Sequence, residues 1–198
     1  MDQPARWIRL DPDGVSGVVA VCRGFAKSPD GTGVPVCFWG RATTPVRLDD
    51  GLWADPGEFV FALLVPLRQA PGRRDRWLSW GLSPLVAALR RFGAHAYLDG
   101  SAICLHGRRI GGGSAREIDG SAAILGVFLG EPPRTAEDAD RGKLLEFDPW
   151  LAALNREGRA KQVLAAFRSA LEVQHGWQFD TAWPSEAELS AITAEAVQ

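Results

Sequence analysis

Residues 59–66, Phe-Val-Phe-Ala-Leu-Leu-Val-Pro, form an unbroken apolar run with β-branched and aromatic members, bounded by glycine and proline. Such a run predicts a strand buried on both faces, hence one central to a sheet. Val34–Trp39 reads as a second strand ending in Gly40-Arg41, and weak alternation around Gly17 predicts another over Val15–Val21. Trp77, Trp80, Pro84, Leu85, Ala88, Leu89 and Phe92 recur at three- and four-residue steps and predict a helix over 77–92. Arg90 and Arg91 fall in its last turn and Gly93 stops it, while Pro84 is expected to kink it or to open a second helix with Ser83 as N-cap. Ala94–Leu98 reads as a short strand. Further on, Ala102–Leu105 and Ser121–Leu129 are apolar strands on either side of a glycine-rich one, and Ile118-Asp119-Gly120 is a hairpin turn.

The remaining pattern is punctuated by turns. Ser28–Gly33 and Pro71–Asp75 have turn chemistry, and residues 131–140 form a charged, irregular connection. Phe147-Asp148-Pro149-Trp150 resembles a helix opening, with Asp148 as N-cap, and Asn155–Gly158 breaks that helix. Val163, Leu164, Phe167, Leu171 and Gln174 mark an amphipathic helix with Lys161 and Arg168 on its wet side and Gly176 at its end. Trp177, Phe179 and Trp183 read as aromatic anchors, and Ser185-Glu186-Ala187-Glu188 is a capping box opening a last helix. The whole reads as a single domain over 1–198, with about 141–198 a C-terminal helical subregion.

Composition narrows the chemistry. A chain of 198 residues, 46% hydrophobic and 23% charged, is long enough to bury a substantial core. A net charge of -2 supplies no global field for nucleic acid or anionic lipid, so neither is expected as a partner. Cys22, Cys37 and Cys104 are odd in number and lack a C-x-x-C pair, which predicts reduced thiols and a cytoplasmic setting. His95, His106 and His175 have no zinc-ligand spacing, so no metal site is expected. The first residues lack a secretory pattern and no apolar run approaches a membrane span. P-loop, Rossmann and nucleophile-elbow motifs are likewise missing.

The densest chemistry lies in Leu105-His106-Gly107-Arg108-Arg109-Ile110-Gly111-Gly112-Gly113-Ser114-Ala115. Backbone without Cβ atoms suits close approach by another group, and exposed N–H groups beside guanidinium forks favour carboxylate or phosphate. Gly107, Arg108, Gly111, Gly112, Gly113 and Ser114 are therefore candidate ligand contacts; a hairpin turn followed by a bulged strand explains the same residues without a ligand.

Gly107-Arg108-Arg109-Ile110-Gly111-Gly112 resembles the Gly-Arg-Lys-Ile-Gly/Ala-Gly signature of the biotin and lipoate protein ligase family, over a likeness spanning roughly Trp39 to Trp183. The resemblance implies an α+β fold, a mixed, mostly antiparallel central sheet flanked by helices, of the class II synthetase-like type. It implies ATP-dependent adenylation of biotin or a lipoate-like acid and transfer to a carrier-domain lysine, with ATP, Mg and biotin or lipoate as cofactors and a biotinyl or lipoyl carrier domain as partner. Arg109 stands at the signature lysine and is the candidate catalytic residue. Residues 42–53 stand where the family has a Gly- and Arg-rich loop over the ATP phosphates, which makes Arg47 and Trp53 candidate ligand contacts. That segment holds Arg47 with Asp49 and Asp50, the wrong charge for a triphosphate. Asp99–Ala102 replaces a Trp-Pro-Asn-Asp motif and offers Asp99 alone for positioning. The expectation is a divergent member that binds a small carboxylic acid, an acyl-adenylate or a carrier domain with impaired or absent ligase activity. The alternative is a working ligase using Arg109, Arg41 or Arg47, and Asp99.

Overall fold

The computed structural model describes residues 3–28, 31, 33–105, 107–128 and 157–196. The chain opens with β1 (Gln3–Arg9), whose Ala5, Trp7 and Ile8 are buried. Helices α1 (Pro12–Ser16) and α2 (Val18–Lys27) follow, where alternation predicted a strand over Val15–Val21. The helical period wins because Val18, Val21, Cys22 and Phe25 make one buried stripe, and because the Asp11 side chain accepts from the Gly14 N–H at 2.7 Å with Pro12 in the first turn.

Next come β2 (Val36–Arg41), β3 (Val46–Asp49), β4 (Leu52–Ala54) and β5 (Phe59–Pro66). Residues 42–53, expected as a loop, thus contain a hairpin: Val46, Leu48, Leu52 and Ala54 alternate inward around a turn at Gly51, whose φ is +76°. After β5 the chain enters α3 (Trp77–Arg91), which runs unbroken through Pro84. Pro84 has no N–H for the Trp80 carbonyl, and the Ser83 hydroxyl donates to that carbonyl at 3.2 Å instead of capping a new helix.

Three hairpin-linked strands then close one side: β6 (Tyr97–Asp99), shorter than the strand expected over Ala94–Leu98, β7 (Ala102–Leu105) and β8 (Arg108–Ile118). β9 (Ser121–Phe128) returns through a turn at which Asp119 and Gly120 both have positive φ, the two-residue hairpin geometry that matches strand twist. Residues 129–156, with the irregular connection, the helix opening at Phe147–Trp150 and Asn155-Arg156, lie outside the described residues, as does His106. Glu157 and Gly158, expected to break a helix, instead begin α4 (Glu157–His175), which ends at Gly176 with φ +66°. On α4, Lys161 is exposed, but Arg168 is half-buried and donates to the Phe179 carbonyl and to Glu172. β10 (Trp177–Thr181) buries Trp177 and Phe179, whereas the Trp183 side chain is 83% exposed. In α5 (Glu186–Ala196) the capping box forms: the Glu188 N–H donates to Ser185 Oγ at 3.3 Å and the Ser185 N–H to Glu188 Oε2 at 2.7 Å.

The eight-stranded sheet has the order β10-β1-β2-β5-β9-β8-β7-β6, parallel only where β1 meets β10 and β2. β5 sits well inside it, with every residue buried, as its continuous apolar run requires. One apolar core lies on the sheet face covered by α3 and α4, and a second on the face covered by α1, α2 and the β3–β4 hairpin. Pairing sets one row on the second face: Asp99–Ala102–Gly112–Val127–Val60–Gly40. The candidate residues Asp99 and Gly112 lie along this row.

Candidate functional site

The glycine stretch is a strand, and its Cβ-free faces are taken up by the protein itself. A Cβ on Gly111 would lie 2.5 Å from the Val127 carbonyl, and one on Gly113 would meet the Leu125 carbonyl at 2.6 Å and Leu82 and Leu78 of α3 just beyond. At these two positions glycine serves close strand and helix packing. Gly112 differs, because what covers it is Arg109: a Cβ there would lie 2.8 Å from a guanidinium nitrogen and 2.7 Å from the Ser101 carbonyl. The Arg109 Nε–H donates to the Gly111 carbonyl at 3.1 Å, which folds the side chain back along its own strand. A bulge opposite Ile103/Cys104 makes room for this return.

Asp99 shares the Gly112 row through Ala102, so the structure brings Asp99, Arg109, Gly112 and Ser114 to one region of the sheet. Cys104 reports their proximity: burial, first, and the Asp99 carboxylate push its thiol pKa up, while Arg109 pulls it down. Gly107 occupies the β7–β8 turn with φ +75°, and Arg108 opens β8. Trp53 and Arg47 are not gathered here. They pair across the outward face of the hairpin, with Trp53 54% exposed and the Arg47 guanidinium 5.9 Å from the centre of its ring.

One group absent from the sequence-derived candidates, Arg116, completes the region. Arg116 follows Ser114 on the same face of β8 and reaches the hairpin, donating to Asp49 at 3.4 Å and to the Leu48 carbonyl at 3.4 Å. Its Nε–H is buried without a hydrogen-bond partner among the described residues. Burial works against ionisation of Asp49, but the nearby Ser114 hydroxyl, the Asp50 N–H and the cations Arg116 and Arg47 outweigh it, so its carboxyl titrates below the usual range. Arg47 is ion-paired to Asp50. The strand period alone puts Arg116 beside Ser114; the signal was present in Ser-Ala-Arg-Glu.

At the far end of the row, about 14 Å from Gly112 at three strand spacings, Gly40 borders a cleft of about 1150 Å³. Ile8, Val21, Phe25 and Phe38 line it on the second face of the sheet and Phe59 and Leu164 on the first, so it wraps the end of β1, and Arg9, Arg41 and Lys161 are exposed cations at its rim. None of residues 111–114 lines it. The described residues contain no group of three His, Cys, Asp or Glu placed to hold a metal, and no helix long and apolar enough to cross a membrane.

No family model matches the chain, and no curated protein matches it in sequence. Solved structures do match it in three dimensions. The bi-partite lipoate protein ligase of Thermoplasma acidophilum superposes with a TM-score of 0.70 at 13% identity, over 97% of this chain and 91% of that one. A lipoate protein ligase from the same organism with bound lipoic acid gives 0.67 at 16% identity, over 98% and 94%. The biotin protein ligase of Aquifex aeolicus with biotin and ATP gives 0.53 at 15% identity, over 87% and 72%. These TM-scores and coverages, at this sequence distance, establish architecture: the chain has the fold of the biotin and lipoate protein ligase catalytic domains.

Proposed function

We propose that this is a divergent biotin/lipoate ligase-like protein that binds a small carboxylic acid, its acyl-adenylate or a carrier domain, with ligase activity impaired or lost. The observation that carries this reading is charge compensation at the hairpin. Arg47 is paired with Asp50 and Arg116 with Asp49, so the cation of the hairpin and the one on β8 that reaches it are both neutralised by hairpin carboxylates. A triphosphate needs uncommitted positive groups where its charge accumulates, and these residues do not fit one. Arg109 retains the charge of the signature lysine, but its planar fork lies over Gly112 and fills the space a compact ammonium would leave open. A carboxylic acid asks less: one cation and an apolar cleft, both of which the fold provides. Thiols at Cys22, Cys37 and Cys104, all free and buried, support a reducing, cytoplasmic setting.

The convergence of Asp99 and Arg109 favours a second reading, an active ligase with a shifted set of groups. Purified protein incubated with biotin, lipoate or octanoate, ATP, Mg and a carrier domain separates the two. The proposal expects binding of at least one acid by calorimetry without pyrophosphate release or carrier modification. Turnover at any enzyme concentration establishes the second reading, and the lack of binding by every acid rejects the first.

A further inference from the structure

The cleft at Gly40 is larger than a biotin- or lipoate-sized acid requires. At about 1150 Å³ it exceeds the roughly 300–1,000 Å³ of ordinary small-molecule pockets. Its apolar lining continues past the sheet onto α5, where Leu189, Ile192 and Ala196 recur at helical spacing along one side, opposite Val21 and Phe25 of α2. The two helices are locked where Gly24 lets the Ile192 backbone approach: a Cβ there would lie 2.6 Å from the Ile192 nitrogen. Beyond that crossing, the apolar side of α5 lacks cover from the described residues, with Leu189 50% exposed.

The opposite end is polar and mostly cationic. Arg9 lies 5.6 Å from the centre of the Trp39 ring, Lys161 is exposed nearby, and Arg41 is tied to the Gly57 carbonyl. Asp11 and Asp13 share this end, and Asp11 is engaged by the Gly14 N–H. The Trp39 indole N–H, on the cleft wall, is buried and has no acceptor among the described residues. An unanswered buried donor beside cations calls for an oxygen acceptor, preferably anionic.

We propose that the cleft takes a long-chain acyl anion, its carboxylate at Arg9, Lys161 and Trp39 on the α4 side and its alkyl tail passing the end of β1 into the α2–α5 groove. This rests on the carboxylic-acid reading above and names the class of acid. Each added methylene that reaches the groove is buried against Ile192 and Leu189, so affinity climbs with chain length beyond eight carbons.

Calorimetry of the full chain with octanoate and with hexadecanoate below its micelle concentration tests this. Hexadecanoate is expected to bind at least about 30-fold more tightly than octanoate. Leu189→Glu, at a half-exposed position that tolerates charge, should remove that advantage while leaving octanoate affinity and melting temperature unchanged. Arg9→Ala should weaken both acids in parallel. Equal affinity for the two chain lengths, or a hexadecanoate affinity indifferent to Leu189→Glu, overturns the groove assignment and leaves the small-acid reading intact. Failure of every acid, short or long, overturns both.

Discussion

At the scale of single residues, the most informative side chain outside the site is His175. Its ring stacks on Trp80 with centroids 4.0 Å apart and leans on Trp177, and its Nε2 has no partner among the described residues. Burial pulls its pKa down to about 4, only partly opposed by a backbone hydrogen bond at Gln174, so the folded protein holds it neutral. The unfolded chain takes up the proton first as pH falls below about 6.5, so stability is complete above that value and drains away down to about pH 4. The loss is on the order of 2 kcal/mol once the ring's partial exposure is allowed for. His175→Phe keeps the ring stack and removes the proton site. Urea titrations at pH 7 and pH 4.5 should show a smaller difference for the variant than for the parent, and an unchanged difference would assign acid sensitivity to other groups. Arg109 teaches the complementary lesson: a sequence motif located it, but only coordinates show its guanidinium turned onto its own strand.

At the scale of elements, the β3–β4 hairpin sets the charge beside the sheet face it covers. Its inward residues pack into the second core, and its tip supplies Asp49 and Asp50, which hold Arg116 and Arg47. Removing the two charges together frees both guanidinium groups without disturbing the buried Val46, Leu48, Leu52 and Ala54. Asp49→Asn with Asp50→Asn should therefore raise affinity for pyrophosphate by about tenfold, read by calorimetry at low salt, with the gain shrinking as ionic strength rises. An affinity that does not move would show that the hairpin carboxylates are not what keeps anions away. This hairpin was also the least legible element, because Asp49-Asp50-Gly51 reads as loop while the inward alternation is only two residues long on each side. The same shortness of signal hid β1, whose Arg6 interrupts an otherwise buried run.

At the scale of the whole molecule, a buried ion pair joins the two ends of the described chain. Arg6 of β1 is bonded to Glu188 of α5, whose carboxylate also accepts the Ser185 N–H; Glu188 is fully buried. Removing the carboxylate takes from Arg6 its anionic partner, leaving it the Trp183 carbonyl, and takes from the helix the half of its capping box that holds the Ser185 N–H. Glu188→Ala is expected to cost about 3 to 5 kcal/mol and to raise hydrogen exchange across α5 before the rest of the fold opens. Uniform exchange would show instead that α5 unfolds only with the sheet. Much of this architecture was readable in advance: the unbroken run at Phe59–Pro66, the three- and four-residue recurrence in α3, the glycine strand with its flanking partners and the capping box at Ser185 all formed where pattern placed them. What could not be read was non-local. The helices over Val15–Val21 depend on a sheet face to cover, and the cleft at Gly40 exists only because distant α5 and α4 come to border it.

The position of β1 between β10 and β2 has a consequence for how the chain is made. A ribosome releases residues 3–41 early, and β1 can pair with β2 at once, but its other edge waits for Trp177–Thr181. Until β10 emerges the nascent sheet therefore carries an open flank beside β1, which a chaperone or a neighbouring nascent copy is free to occupy.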